Sequence, residues 1–349
     1  MTSPVVEVAS VKRLVESSDV HFIPSNYVHS TTINADDHSS NSIPVLDFSL
    51  LISNDPHQRA IAIHHLTQAC QDWGLFMVVN HGIPESLMKA VIDGTCEFFN
   101  LPEEDKQEFA GKHVLDPIRC GTSFNTSKEN AFFWRDYLKV LVHPRFHFPY
   151  KPQGYSDIVW EYCERSRQVA RKLLGGISES LGLEESFLDK ALDLELGLQT
   201  FVANYYPRCP QPQLAMGLPA HSDQGLLTIL INNQVEGLQL QHQGKWIQVN
   251  ALPNSLLVNT ADLLEIFSNG KYKSNVHRAV VNNKMTRISI VTFHGPSLET
   301  IVSPASPLLD SDNSPAAYGP VKYRDYLEFH QSNQLDGKSC LERIKIRKN

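Results

Sequence analysis

The feature that most constrains this chain is a change of texture near residue 196. Before it, apolar residues recur at helical spacing over long stretches. After it, short runs rich in Val, Ile, Leu, Thr and Phe alternate with Gly, Pro, Asn and Asp turns, at 197–206, 226–232, 238–249, 255–260, 274–281 and 287–294. Helical spacing buries one stripe of a helix, whereas closely spaced short runs suit the strands of an antiparallel sandwich or jelly roll. Helices first and strands second give an α+β chain: a double-stranded β-helix (jelly-roll, cupin-like) core with supporting N-terminal helices. We divide it into an N-terminal helix and mobile arm (1–42), a helical lobe with core strands (43–195), the jelly-roll core (196–335) and a C-terminal tail (336–349).

Local signals sharpen this outline. A strand is expected at 43–48, then a helix from about 56 to 73, with Asp55 as its N-cap, Pro56 in its first turn and Gly74 closing it. Ala62, Leu66, Ala69, Cys70 and Trp73 share one face of that helix. Leu75–Val79 reads as a strand, 84–99 and 156–181 as helices, with Gly182 stopping the last. Residues 237–249 read as a hairpin turning near Gln243-Gly244.

Composition removes several classes of function. With 42% hydrophobic and 20% charged residues the chain is an ordinary globular protein. A net charge of −7 argues against a nucleic-acid or anionic-membrane partner. The six cysteines form no C-x-x-C pair, so neither a zinc knuckle nor a thioredoxin-like site is suggested. No secretory h-region opens the sequence, and no run approaches the roughly 20 apolar residues of a membrane span. The expectation is a cytoplasmic protein with reduced thiols and no obligate protein partner. A P-loop, a dinucleotide fingerprint and a Ser-His-Asp elbow are all lacking.

The chemistry concentrates in the second half. In His221-Ser222-Asp223, strand geometry would aim residues i and i+2 at one face, so an imidazole and a carboxylate could share a metal. Alone the triplet means little, because a chain of this composition gives roughly one by chance. His277 follows 54 residues later at the start of an expected strand, where a return strand would bring it opposite His221. Two imidazoles and a carboxylate form the facial triad of non-haem iron oxygenases. Ten residues on, Arg287-Ile288-Ser289 aims a guanidinium and a hydroxyl the same way. Such a fork suits a buried carboxylate, although a lone arginine is usually a surface ion pair. Asn204-Tyr205-Tyr206-Pro207 ends a strand some 15 residues before His221, and a tyrosine hydroxyl there could donate to the same carboxylate or simply be core.

Taken in order, these segments resemble the plant 2-oxoglutarate- and Fe(II)-dependent dioxygenases, the group that includes flavonol synthase, anthocyanidin synthase and gibberellin oxidases. Further matches are Ile43-Pro44-Val45-Leu46-Asp47, Asp72-Trp73-Gly74-Leu75-Phe76, Val79-Asn80-His81-Gly82-Ile83-Pro84, Phe98-Phe99 with Leu101-Pro102, Trp134-Arg135-Asp136-Tyr137, and Gly270-Lys271-Tyr272-Lys273-Ser274 before His277-Arg278, so that the likeness spans about 43–335. The resemblance implies iron at His221, Asp223 and His277, and 2-oxoglutarate at Arg287 and Ser289 with Tyr206 and Asn204 assisting. It implies oxidation, chiefly hydroxylation, of a small aromatic, terpenoid or alkaloid metabolite by O2, with 2-oxoglutarate leaving as succinate and CO2 and ascorbate in support. An acidic ligand at 223 speaks against halogenation, since halogenating relatives carry a small residue there. The alternatives are an ascorbate-dependent oxidase that spends no 2-oxoglutarate, and a catalytically silent jelly-roll binding protein.

Two departures bear on substrate. Anthocyanidin and flavonol synthases carry a lysine where this chain has Val202, and a glutamate where it has Gly295. The polar grips on a flavonoid are therefore missing, and the Trp-Arg-Asp-Tyr segment and the His294-Gly295-Pro296-Ser297 run are closer to the branch holding salicylate and specialised-metabolite hydroxylases. Phe293 would share a face with Arg287 and Ser289, as substrate platform or as core. Phe124, Phe132 and Phe133 could line the mouth of the barrel or serve packing. His81 is read as structural, His64 and His65 take no role, and Cys209 is read as an inert thiol.

Overall fold

The computed structural model describes residues 10–17, 21–29, 43–111, 113–309 and 314–347, so most of the N-terminal helix and arm segment expected at 1–42 lies outside the described residues. Its main helices are α1 (Val11–Ser17), α2 (Phe48–Leu51), α3 (Pro56–Gln68), α4 (Glu85–Asn100), α5 (Glu103–Gln107), α6 (Tyr155–Ser180), α7 (Phe187–Ala191), α8 (Asp262–Phe267), α9 (Tyr323–Ser332) and α10 (Ser339–Glu342). The strands are β1 (Val45–Asp47), β2 (Leu75–Val79), β3 (Ile118–Thr122), β4 (Asp136–His143), β5 (Gln199–Tyr206), β6 (Met216–His221), β7 (Leu227–Asn232), β8 (Leu238–His242), β9 (Lys245–Gln248), β10 (Leu256–Thr260), β11 (His277–Val280), β12 (Arg287–His294), β13 (Ile301–Val302) and β14 (Val321–Lys322).

The local signals act as their chemistry requires. Asp55 caps α3 by accepting from the His57 amide at 2.9 Å. The helix widens into one π turn over Ala69–Trp73 and ends at Gly74, whose φ of +65° only glycine takes readily. A Cβ at Gly74 would also run into the Lys273 carbonyl. Gln243 and Gly244 both have positive φ, the geometry that lets a two-residue turn join β8 to β9.

A large sheet runs β1-β2-β10-β7-β12-β5-β4-β3 and a smaller one β6-β11-β8-β9. Strands β5 to β12 split between the two sheets as a double-stranded β-helix. The larger sheet draws strands from both sides of residue 196: β1 and β2 extend it at one edge, β4 and β3 at the other. Strand alternation sorts its side chains into two cores. Phe201, Ala203, Tyr205, Ile288 and Ile290 face the helices, packing with Phe98, Phe99, Tyr162 and Leu173. Val202, Leu230, Leu257 and Val291 face the smaller sheet, meeting Leu238 and Leu240. Burying so many aliphatic and aromatic side chains at about 1.5–3 kcal/mol each supplies the drive that holds helices and sheets together.

β3 and β4 lie inside the segment read from sequence as mostly helical. Their polar inward residues, Arg119, Tyr137 and Lys139, break the apolar alternation that marks a half-buried strand. The C-terminal segment returns to the smaller sheet, where Gly337 forms a parallel bridge to His221 and its carbonyl accepts from the Ser222 amide at 3.1 Å.

Candidate active site

His277 opens β11 directly opposite His221, the last residue of β6. Asp223 is not on that strand: β6 stops at His221 and the carboxylate projects from the turn that follows. The three side chains nonetheless converge, with ligand atoms all within 4.8 Å of one another. An Asp223 carboxylate oxygen (Oδ1) stands 3.8 Å from His221 Nε2 and 3.6 Å from His277 Nε2. What replaces strand alternation is a set of ties on the turn. The Asp223 carbonyl accepts from the Asp262 amide at 2.9 Å, and Asn259 Nδ2 donates to the Asp223 carboxylate at 3.2 Å. Ser222 Oγ donates to Asp262, which also accepts from the Tyr326 hydroxyl at 2.6 Å.

The protonation pattern suits a divalent cation. His221 Nδ1 lies 2.7 Å from the Pro219 carbonyl and His277 Nδ1 3.2 Å from that of Asn275. A carbonyl only accepts, so each proton sits on Nδ1 and each Nε2 lone pair is left for a metal. Burial, with His277 alongside, lowers the His221 imidazole to about 3, which keeps it neutral. Burial works against the Asp223 charge, but the two imidazoles and Asn259 outweigh it and hold the carboxyl below its usual range. One carboxylate and two imidazoles whose Nε2 atoms face it, buried and mutually adjacent, fit a ferrous ion that keeps open positions.

The residues expected to form the clamp meet across neighbouring strands. Arg287 pairs with Tyr206, and Ser289 with Asn204, across β12 and β5. Arg287 is 2% exposed, yet its Nε and Nη2 have no partner. Its guanidinium carbon lies 5.2 Å from the centre of the Tyr206 ring. Buried guanidinium donors left unpaired cost several kcal/mol unless a carboxylate meets them, which makes this a built anion site. Asn204 Nδ2 donates to Ser289 Oγ at 3.3 Å, fixing the hydroxyl.

Both groups line one cavity of about 950 Å³, counted out to its mouth. Phe124 and Phe293 line it too. Phe132 and Phe133 do not, correcting the expectation for that loop: Phe132 packs edge-on against Tyr27, and Phe133 is buried against the His29 ring. His81 bonds the Asn254 carbonyl and the Ile83 amide, a structural role, while His64 and His65 are exposed. Burial raises the Cys209 thiol to about 12, leaving it inert. Sequence reasoning missed Arg119, Lys139 and Gln331, which line the same cavity, and gave Arg135 and Tyr137 only as part of a motif. Spacing gave no hint of Arg119 and Lys139, because β3 and β4 were not recognisable as strands.

Fold and site define a metal-dependent oxygenase built on a double-stranded β-helix. Residues 197–296 match the 2OG-Fe(II) oxygenase superfamily, and residues 43–159 match the non-haem dioxygenase in morphine synthesis N-terminal family. The rice (Oryza sativa subsp. japonica) protein 2-oxoglutarate-dependent dioxygenase 19 is 43% identical over 93% of this chain and 97% of its own. Flavanone 3-dioxygenase 2, also from rice, is 41% identical over 86% of each chain. Thebaine 6-O-demethylase of Papaver somniferum is 36% identical over 98% and 97%. A crystal structure of JOX2 in complex with 2OG, Fe and JA superposes with a TM-score of 0.87 at 30% identity, covering 99% of both chains. The chain therefore belongs to the 2-oxoglutarate- and Fe(II)-dependent oxygenase superfamily, in its plant branch. It is an oxidoreductase whose family cofactors are Fe(II), 2-oxoglutarate and O2. No helix among the described residues is long and apolar enough to cross a membrane.

Proposed function

We propose that this enzyme hydroxylates a small specialised metabolite of the cytoplasm, with iron on His221, Asp223 and His277 and 2-oxoglutarate on Arg287, Ser289, Tyr206 and Asn204. The observation that carries the residue assignment is the pairing of a metal-fitted His–Asp–His cluster with a buried guanidinium that has two unpaired donors in the same cavity. When bound, the ferrous ion would let O2 act as the oxidant, with 2-oxoglutarate giving up two electrons as it leaves as succinate and CO2. The protein's own part is placement. His221 and His277 keep their Nε2 lone pairs free by donating from Nδ1, and Asn259 holds one oxygen of the Asp223 carboxylate. Arg287 and Ser289 take the far carboxylate of the dicarboxylic acid. Gly237 backs that guanidinium; a Cβ there would come within 2.9 Å of Arg287 Cδ. Phe293, Phe124, Val202 and Val291 give the substrate an apolar bed that excludes water. An oxidase spending ascorbate alone would leave the Arg287 donors buried without purpose.

The test is a succinate-release screen of the iron-loaded protein against a metabolite library, with the mass of each product. Substrate-dependent succinate and a product one oxygen heavier are expected, both lost in Asp223→Ala. Full activity in that variant would remove the iron assignment.

A further inference from the structure

Granting that reading, the inner face of the larger sheet carries a second group of cations on β3 and β4, apart from Arg287 on β12. Register places Val291, Val202, Lys139 and Arg119 in one row across β12, β5, β4 and β3, all on the cavity wall. The row begins apolar and ends in two cations. Lys139 is 8% exposed, and its ammonium donates to the neutral Gln331 amide oxygen at 2.9 Å. Arg119 Nε is buried without a partner. Arg135, 6% exposed beside them, donates only to Asn204 Oδ1 and the Ser123 carbonyl. Among the described residues no carboxylate pairs with any of the three.

Among the described residues, Asp223 is the one carboxylate in the cavity lining. The charges of Asp223, a divalent metal, a dicarboxylate cosubstrate and Arg287 sum to zero, and Arg278, a further cation of the lining, donates to Gln239 Oε1 at 2.8 Å. Arg119, Lys139 and Arg135 are then left uncompensated inside a chain whose net charge is −7. Three converging cations in an apolar enclosure repel one another and cost free energy unless an anion joins them. Lys139 stands opposite Val202, so the cation missing from that position is supplied one strand further out. Two strand spacings separate β4 from β12, about 10 Å across the sheet, room for the body of a small molecule.

We propose that the substrate is an organic acid whose carboxylate is held by Lys139 and Arg119, with its apolar body lying along Val202 and Val291 towards the metal.

The test is titration calorimetry on the full chain loaded with Mn(II) and saturating 2-oxoglutarate. The probes are phenylacetic, phenylbutyric and naphthylacetic acids, each beside its primary amide. The acids should bind about tenfold or more tightly than the amides, as expected for a desolvated charge pair. In Lys139→Met and Arg119→Met, each checked for folding by circular dichroism, the preference should fall to near parity. Amides binding as well as acids, no acid binding, or a preference that survives both substitutions would overturn the proposal. Conversion of 2-oxoglutarate to succinate by the iron-loaded wild type without added substrate reports on the oxygenase reading separately, so a protein that retains it but lacks acid preference overturns this inference alone.

Discussion

His277 and His221 are cross-strand partners in the β11–β6 pair, their ring centres 4.3 Å apart. The antiparallel register therefore does what 55 residues of intervening chain could not do by local geometry. Asp223, supplied by the turn after β6, completes the triangle. Removing it leaves two imidazoles and no carboxylate for a divalent ion. We expect Asp223→Ala to lose the thermal stabilisation that Mn(II) gives the wild type, about 2.7 kcal/mol at a hundred times Kd, read by scanning calorimetry.

Arg287→Leu addresses the clamp. The variant removes a buried charge with two unpaired donors, so the cofactor-free protein should be no less stable than wild type. Its half-saturating 2-oxoglutarate concentration should rise about a hundredfold, the cost of truncating one partner of a buried charged pair. An unchanged half-saturation in a succinate assay would place the cosubstrate elsewhere.

Much of this was legible in the sequence, for identifiable reasons. Asp55, Gly74 and the Gln243-Gly244 turn acted through local backbone chemistry, which needs no tertiary context. The register of β12 followed from alternation, so Arg287, Ser289 and Phe293 do share a face. Asp223 reached the cluster by a route that alternation did not describe, because tertiary ties to Asp262 and Asn259 set the turn. β3 and β4 stayed hidden because their inward residues are charged or polar, and a buried Lys139 reads from sequence as a solvent-facing one. Function broke the pattern there, which is where local reasoning is expected to fail.

Lys139 yields a pH prediction. Burial, then Arg119 and Arg135, lower its ammonium to about 7, and His330 is the other titratable group facing it. From about pH 7 to the ordinary lysine value near 10.4, the unfolded chain holds this proton and the folded chain does not. Its contribution to the stability of the ligand-free protein thus rises with pH across that window, and below pH 7 the full penalty of a buried charge remains. Lys139→Met should be the more stable protein at pH 6, by about 1 kcal/mol or more, with the difference shrinking towards pH 10. Chemical denaturation at several pH values measures it; a difference independent of pH would contradict the account.

Tyr326 on α9 holds Asp262, which holds Ser222 beside the metal ligands. Tyr326→Phe should cost about 1–3 kcal/mol, the loss of one hydrogen bond to a buried carboxyl group. Because the tie reaches the turn bearing Asp223, metal affinity should fall as well. Removal of residues 333–349 would take away Gly337 and its bonds to Ala220 and Ser222, and should weaken Mn(II) binding further in a direct titration.

The most direct test is a crystal grown with Mn(II) and 2-oxoglutarate, examined by anomalous diffraction. The account predicts one metal peak about 2.0–2.2 Å from His221 Nε2, His277 Nε2 and an Asp223 oxygen, with the cosubstrate's far carboxylate on Arg287 and Ser289. A metal bound away from these three groups, or a cosubstrate carboxylate away from Arg287, would contradict it.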